Sequence, residues 1–185
     1  EGHPPQFNKS SLVRVPIRLG QDAFTVGEIS EENIDRMVDA MKALKLLMQV
    51  HKVEQYKACA TSAMREAYNG KEVADIIKKK ADIKIDIIDG KKEAAIIAAS
   101  DLKQFISSDK AYLYVDVGGG STEFSLFHEG KIIASKSFKN GTVRLLNNMV
   151  SDIVWQEIEK WIKINTEPFE NITLSILLIV KTPMD

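Results

Sequence analysis

Between residues 116 and 123 the chain reads Asp-Val-Gly-Gly-Gly-Ser-Thr-Glu, and no other stretch limits the fold as tightly. The apolar run Tyr112 to Val117 enters it, and a second strand-like run, Ser121 to His128, leaves it. Glycine lets a backbone turn where side chains would clash, and lets successive N–H groups converge on an anion. Gly118, Gly119 and Gly120 supply that freedom, and Ser121 and Thr122 add hydroxyl donors. Asp116 and Glu123 place a carboxylate on either side. A phosphate cradle between two acids suits magnesium-assisted phosphoryl chemistry, because the metal bridges carboxylate and phosphate oxygens. A bare Gly-Gly-Gly would indicate only a hairpin. The flanking Asp and Ser-Thr-Glu favour phosphate. No Gly-Lys-Ser/Thr follows, so this is not a Walker loop. The loop leads into a strand, so it is not a dinucleotide fingerprint either.

The rest of the chain supplies α/β layers around this loop. Residues 12–19 mix apolar and basic positions and read as a strand, with Pro16 marking an edge or a bulge. Ser30 caps a helix with Glu31 and Glu32 in its first turn. That helix is carried by Ile34, Met37, Val38, Met41, Leu44 and Leu47, the methionines being core filler. Tyr56 to Ala60 predicts a short buried strand, Arg65 to Lys80 a helix weakened at Asn69-Gly70, and Ile83 to Ile88 a strand. Lys78, Lys79 and Lys80 form a solvated helix end. A turn at Asp89-Gly90 leads into a helix from Glu93 to Phe105 with apolar positions at Ile96, Ile97 and Leu102. Glu129-Gly130 predicts a tight hairpin before a strand over Lys131 to Phe138. Helices follow over Thr142 to Met149 and Ile153 to Ile164. The run from Ile172 to Val180 reads as a strand that stops without a partner.

The 185 residues carry 44% hydrophobic and 28% charged side chains, the balance of an ordinary globular protein. A net charge of -1 argues against bulk electrostatic binding to nucleic acid or to an anionic membrane, so any polyanion needs a local site. Cys59 is the one cysteine, which excludes an internal disulfide and reads as a small buried hydrophobe. With no signal peptide or membrane span in view, the expected location is cytoplasmic. The chain begins at Glu1, and both ends read as cut.

Two further segments carry chemistry. Ala60-Thr61-Ser62-Ala63-Met64-Arg65 runs from a strand through hydroxyl residues to an arginine at a helix start, a second anion seat or a plain N-cap. Asp89-Gly90-Lys91-Lys92-Glu93 delivers Glu93 to the first turn of a helix, where alone it would read as a surface acid favoured by the dipole.

Together these segments resemble the exopolyphosphatase/guanosine pentaphosphatase (Ppx/GppA) family. Ala60 to Gly70 resembles its Ala-Thr-Ser-Ala-x-Arg-x-Ala-x-Asn-Gly signature, and Asp116 to Glu123 matches its Asp-x-Gly-Gly-Gly-Ser-Thr-Glu loop at every position. Arg14 to Gly20 and Gly141-Thr-Val-Arg144 are similar to further family segments, so the resemblance runs from about Leu12 to Phe169. It implies an actin-like, ribonuclease-H-like fold of two α/β domains with the active site in the cleft between them. The first domain would cover residues 1–110 without its N-terminal strand and phosphate loop, and the second would begin in 111–185.

The resemblance also implies a reaction: magnesium-assisted release of the terminal phosphate of polyphosphate or guanosine pentaphosphate. Gly118, Gly119, Gly120, Ser121 and Thr122 would hold phosphate, and Arg65 would pair with it. Asp116 and Glu123 would hold Mg2+ and the attacking water, and Glu93 would be the general base. The expected partners are the substrate and, in the full-length protein, a second copy of the chain; nucleic acid and membrane are not expected. The family's first Asp-x-Gly-Ser-Asn loop and its later Gly-Gly-Asn segment are absent, and Lys92 stands where an acid is usual. The chain by itself is therefore expected to be poorly active. Rival readings are an ATP-dependent kinase or chaperone-like ATPase of the same fold, and a non-catalytic phosphate or nucleotide sensor.

Overall fold

The computed structural model describes residues 12–100 and 110–180. Its first half is helical. Helices α1 (Leu19–Thr25), α2 (Glu31–Val50), α3 (Ser62–Glu66) and α4 (Gly70–Ala81) surround a core of Phe24, Ile29, Met37, Val38, Val73 and Ile77. Of the α2 methionines Met37 is buried in this core as expected, while Met41 and Met48 pack against it only partly buried. The Ser30 hydroxyl caps α2 by accepting the Asn33 N–H at 3.4 Å. Two short parallel strands, β1 (Ala58–Ala60) and β2 (Ile85–Ile87), line one side of the core. Helix α5 (Gly90–Ser100) follows, capped by the Asp89 side chain, which accepts the Lys92 N–H at 2.8 Å.

The second half is a four-stranded mixed sheet in the order β5-β4-β3-β6. Strands β3 (Ala111–Val117), β4 (Thr122–His128) and β5 (Lys131–Phe138) form an antiparallel meander. At its hairpin both Glu129 and Gly130 have positive φ, 50° and 71°, the twist a two-residue turn needs to match its strands. Helices α6 (Thr142–Leu146) and α7 (Asp152–Thr166) then lead to β6 (Leu174–Val180). One face of the sheet buries Leu113, Val115, Phe124, Leu126 and Phe138 against Ile158 and Trp161 of α7. Phe124, Phe138 and Trp161 meet there edge to face. Helix α5 packs toward β4 and β5 on the sheet's other side.

Four sequence expectations are corrected. Residues 12–18 form no strand, and Leu19 opens a helix. Pro16 cannot donate to a ladder, its carbonyl is taken by Arg36 at 2.8 Å, and Arg18 sits at φ 62°. The helix expected from Arg65 to Lys80 is two helices. Ala67 turns extended and ends α3, and Asn69, from which α4 starts, exchanges two side-chain hydrogen bonds with the Ile29 backbone at 2.9 and 2.8 Å, a long-range pairing that outweighs local propensity. Cys59 is exposed, not buried, at the rim of an apolar groove lined by Met37, Met41 and Met48. The terminal strand does have a partner: β6 pairs in parallel with β3 from Ala111↔Leu174 to Val117↔Val180. Leu102 and Phe105, expected to extend α5, lie outside the described residues.

The lysine-rich end of α4 is solvated as expected. Lys78 and Lys45 both pair with Asp82, at 2.6 and 2.9 Å, and hold its carboxyl down at about 2. Among the described residues no helix is long and apolar enough to cross a membrane.

Candidate active site

Asp116 is the next-to-last residue of β3, and Glu123 lies directly opposite it in β4. Residues paired across an antiparallel ladder project to the same face, with Cβ atoms about 4.5–5.5 Å apart. Both carboxylates are buried, at 1% and 3% exposure. One oxygen of Glu123 accepts two hydroxyls, Ser121 Oγ at 2.6 Å and Ser137 Oγ of β5 at 2.9 Å. A pair of carboxyl groups on one face at a strand end offers the hard oxygen donors that a divalent cation takes.

The glycine loop joins the two strands. Its carbonyls all face α6: Gly118 O accepts the Thr142 N–H at 2.8 Å, Gly119 O the Val143 N–H at 2.8 Å, and Gly120 O the Arg144 Nε–H at 2.8 Å. In a trans peptide the N–H points opposite to the carbonyl of the preceding residue. The N–H groups of Gly119, Gly120 and Ser121 are therefore turned away from α6, together, and they donate to no backbone carbonyl among the described residues. Three successive N–H groups on one side make an anion seat. Gly141 makes the arrangement sterically possible, since a Cβ there would collide with the Gly119–Gly120 peptide.

The expected loop donors therefore divide. Gly118 spends its N–H on Ser121 O at 2.9 Å. The Ser121 hydroxyl is given to Glu123, and the Thr122 hydroxyl, on the opposite face, to Asn140 O at 3.2 Å. The backbone N–H groups of residues 119–121 are what the loop offers a ligand.

Glu93 and Arg65 belong to the other half of the molecule, on α5 and α3. Glu93 is half-buried in the first turn of α5. Gly90, one turn earlier, lies so close to Ser137 that a Cβ on it would stand 3.1 Å from the Ser137 Cβ. The helix start that carries Glu93 is thus set against the serine that holds Glu123. Arg65 donates to the Ile88 carbonyl at 2.7 Å, tying α3 to the turn before α5. The start of α5 thus abuts the strand that carries Ser137, and Arg65 is tied to the turn before that helix.

The residues fit magnesium in their donor chemistry. Mg2+ takes hard oxygen ligands, one or two of them protein carboxylates, with waters and substrate phosphates completing the shell. Asp116 and Glu123 are such a pair, beside an anion seat. Among the described residues no group of three or more His, Cys, Asp or Glu gathers as a self-sufficient metal cage.

The sequence reading missed three contributors. Ser137 sits in a strand of unremarkable composition. Glu66 and Arg144 form an ion pair at 2.5 Å between α3 and α6. The Gly141-x-x-Arg144 spacing was the one available signal for that pair, and it carried no role by itself.

Comparison with known proteins follows the same residues. The sequence profile described as the Ppx/GppA phosphatase family matches residues 11–167. A bifunctional 3-dehydroquinate synthase/phosphatase of Fusobacterium nucleatum is 28% identical over 180 residues, covering 90% of this chain and 27% of the relative. A guanosine-5'-triphosphate,3'-diphosphate pyrophosphatase of Photobacterium profundum is 33% identical over 144 residues, covering 76% of this chain and 28% of the relative. Among solved structures, an exopolyphosphatase from Cytophaga hutchinsonii superposes with a TM-score of 0.64 at 29% identity, over 84% of this chain and 51% of that one. The chain thus spans about a quarter of the length of those curated relatives, at 27% and 28%, and about half of the solved one, at 51%. Its α/β fold is that of the solved relative, in keeping with the actin-like architecture the resemblance implied. By the extent of the profile match and the glycine loop at its centre, this chain belongs to the Ppx/GppA phosphatase family.

Proposed function

We propose that the protein hydrolyses a terminal phosphoanhydride, of polyphosphate or of guanosine pentaphosphate, by in-line attack of water. One observation carries this reading: the N–H groups of Gly119, Gly120 and Ser121 are turned to one side, at the end of a strand pair that buries Asp116 and Glu123. Relatives named as an exopolyphosphatase and as a guanosine pentaphosphate pyrophosphatase support the substrate class.

The three N–H groups would hold the oxygens of the phosphate under attack. Held rigidly by α6, they need no reorganisation as charge shifts during the reaction. Arg65 would pair with a phosphate on exchanging its Ile88 carbonyl for a charged partner, the stronger hydrogen bond. Glu93 would take the proton of the attacking water. Asp116 and Glu123 would hold Mg2+, with Ser121 and Ser137 fixing the Glu123 carboxylate in place. The ion would supply neutralisation of phosphate charge.

The test is phosphate release by the natural full-length protein, with polyphosphate and with guanosine pentaphosphate, with and without Mg2+. Release from one of them that needs the metal is the expected result. Folded protein inert on both but turning over ATP with an acceptor would move the reading to a kinase.

A further inference from the structure

One of the three carbonyls that orient the glycine loop is held by a guanidinium from outside it. Arg144 is nearly enclosed, with 12% of its side chain exposed. Its Nε–H donates to Gly120 O at 2.8 Å, and its Nη2 to Glu66 at 2.5 Å. Its plane lies over the Phe24 ring, 4.6 Å from the centroid. Phe24 in turn fills the space beside Gly120, where a Cβ would collide with the ring. These contacts come from α1, α3 and α6, which begin far apart in sequence. Glu66 is the residue after Arg65, so the cation that holds the loop also holds the helix turn carrying the phosphate-pairing arginine.

We propose that Arg144 is the positioning residue of this site, fixing the glycine loop and the Arg65 turn at one spacing so that both meet the same phosphate. The inference rests on the loop being the phosphate seat. The geometry explains why an arginine is needed. A guanidinium is a planar fork that bonds two acceptors in different directions while stacking on a ring, and an ammonium offers none of that planarity. With the Gly120 carbonyl pulled to Arg144, the Ser121 N–H must point the other way, toward the seat. With Glu66 pulled to the same group, α3 cannot drift from the loop. Lys139 also reaches Glu66, at 3.3 Å, but its side chain is 71% exposed, and such a pair contributes little.

The experiment is titration of the chain with tripolyphosphate and Mg2+, followed at the backbone amide resonances of Gly119, Gly120 and Ser121. The wild-type chain should bind and shift those resonances. Arg144→Gln should displace or broaden them before any ligand is added, and weaken binding at least about tenfold, the loss expected when one hydrogen bond to a charged phosphate is no longer made. Glu66→Gln should act in the same direction. The double variant should be no worse than Arg144→Gln alone, because members of one network do not add. Arg144→Lys should fall between wild type and Arg144→Gln, and it carries the test with Glu66→Gln if Arg144→Gln does not fold. Lys139→Gln should bind within about twofold of wild type. A core variant, Leu126→Ala, separates positioning from stability: it should lower stability yet leave the loop resonances and binding unchanged. Folded Arg144→Gln that binds like wild type with undisturbed loop resonances overturns this inference and leaves the phosphate seat standing. A wild-type chain whose loop amides ignore tripolyphosphate overturns the seat and the inference together.

Discussion

Adding one methyl group at Gly141 tests how the loop is held. The Cβ of Gly141→Ala would meet the carbonyl carbon and oxygen of Gly119 and the nitrogen of Gly120. These are backbone atoms, and no rotamer change relieves the clash. The loop must move, and its carbonyls are held by the Thr142 and Val143 N–H groups at 2.8 Å each. Overpacking in a tight site costs about 1–3 kcal/mol. Losing two backbone hydrogen bonds adds about 1 kcal/mol each. The expected destabilisation is therefore about 3–5 kcal/mol. Gly130→Ala is the control, because nothing lies within 4 Å of its Cβ and only its φ of 71° is unfavourable. That left-handed conformation costs a residue with a Cβ about 1–2 kcal/mol. Urea unfolding of both variants, with the slope checked for two-state behaviour, measures the difference. Gly141→Ala equal to or more stable than Gly130→Ala would refute the account of a loop pinned against α6.

Other expectations follow from the same contacts. In the full-length protein Glu93→Gln should lower phosphate release by about 10²–10⁴-fold while polyphosphate still binds, the loss typical of a missing general base; activity within a few-fold of wild type would remove Glu93 from the mechanism. Leu126→Ala, which empties a fully buried position in β4, should cost about 2–5 kcal/mol in urea unfolding. The Asp82 carboxyl is held down at about 2, from an ordinary 3.8, by its hydrogen bonds to Lys78 and Lys45. Its folded value is depressed, so its contribution to stability is present above about pH 3.8 and is lost as pH falls toward 2. The group is fully exposed, so the pH dependence should shrink in high salt and vanish in Asp82→Asn, as thermal melts across that range would show.

The loop and the meander were legible in the sequence because they are local. Glycines between two apolar strands, and a Glu129-Gly130 turn, mark where the chain must turn, although α6 and Arg144 fix which way the loop's peptides face. Strand β5 falls on Lys131 to Phe138, directly after the hairpin that the Glu129-Gly130 pair predicts. The failures are sites where distant residues decide. The helix breaks just before Asn69, whose side chain pairs with Ile29, and Arg36 claims the Pro16 carbonyl of a segment that had read as a strand. Cys59 had been placed inside on residue type, but β1 has an apolar groove on its flank instead of further cover. At the site, the sequence supplied the acids and the glycines. It did not show that the Ser121 and Thr122 hydroxyls are used internally, nor that Arg144 reaches back to Gly120. Those depend on which way each peptide plane turns, and α6 decides that.

The parallel placement of β6 beside β3 bears on how the sheet assembles. The β3–β4–β5 meander closes through short turns, whereas β6 joins only after the chain has returned across α6 and α7. Loop-closure entropy is lower for the meander, so it can form early, and β6 should be the last strand to acquire amide protection in pulse-labelled refolding. Until it docks, the outer edge of β3 offers unpaired N–H and C=O groups to any other extended chain. Even when docked, β6 leaves Ile176 and Leu178 exposed, at 66% and 61%. The same strand that completes the sheet is thus the place where refolding at high concentration should first go astray, and a lysine at position 176 should improve the yield without touching the loop.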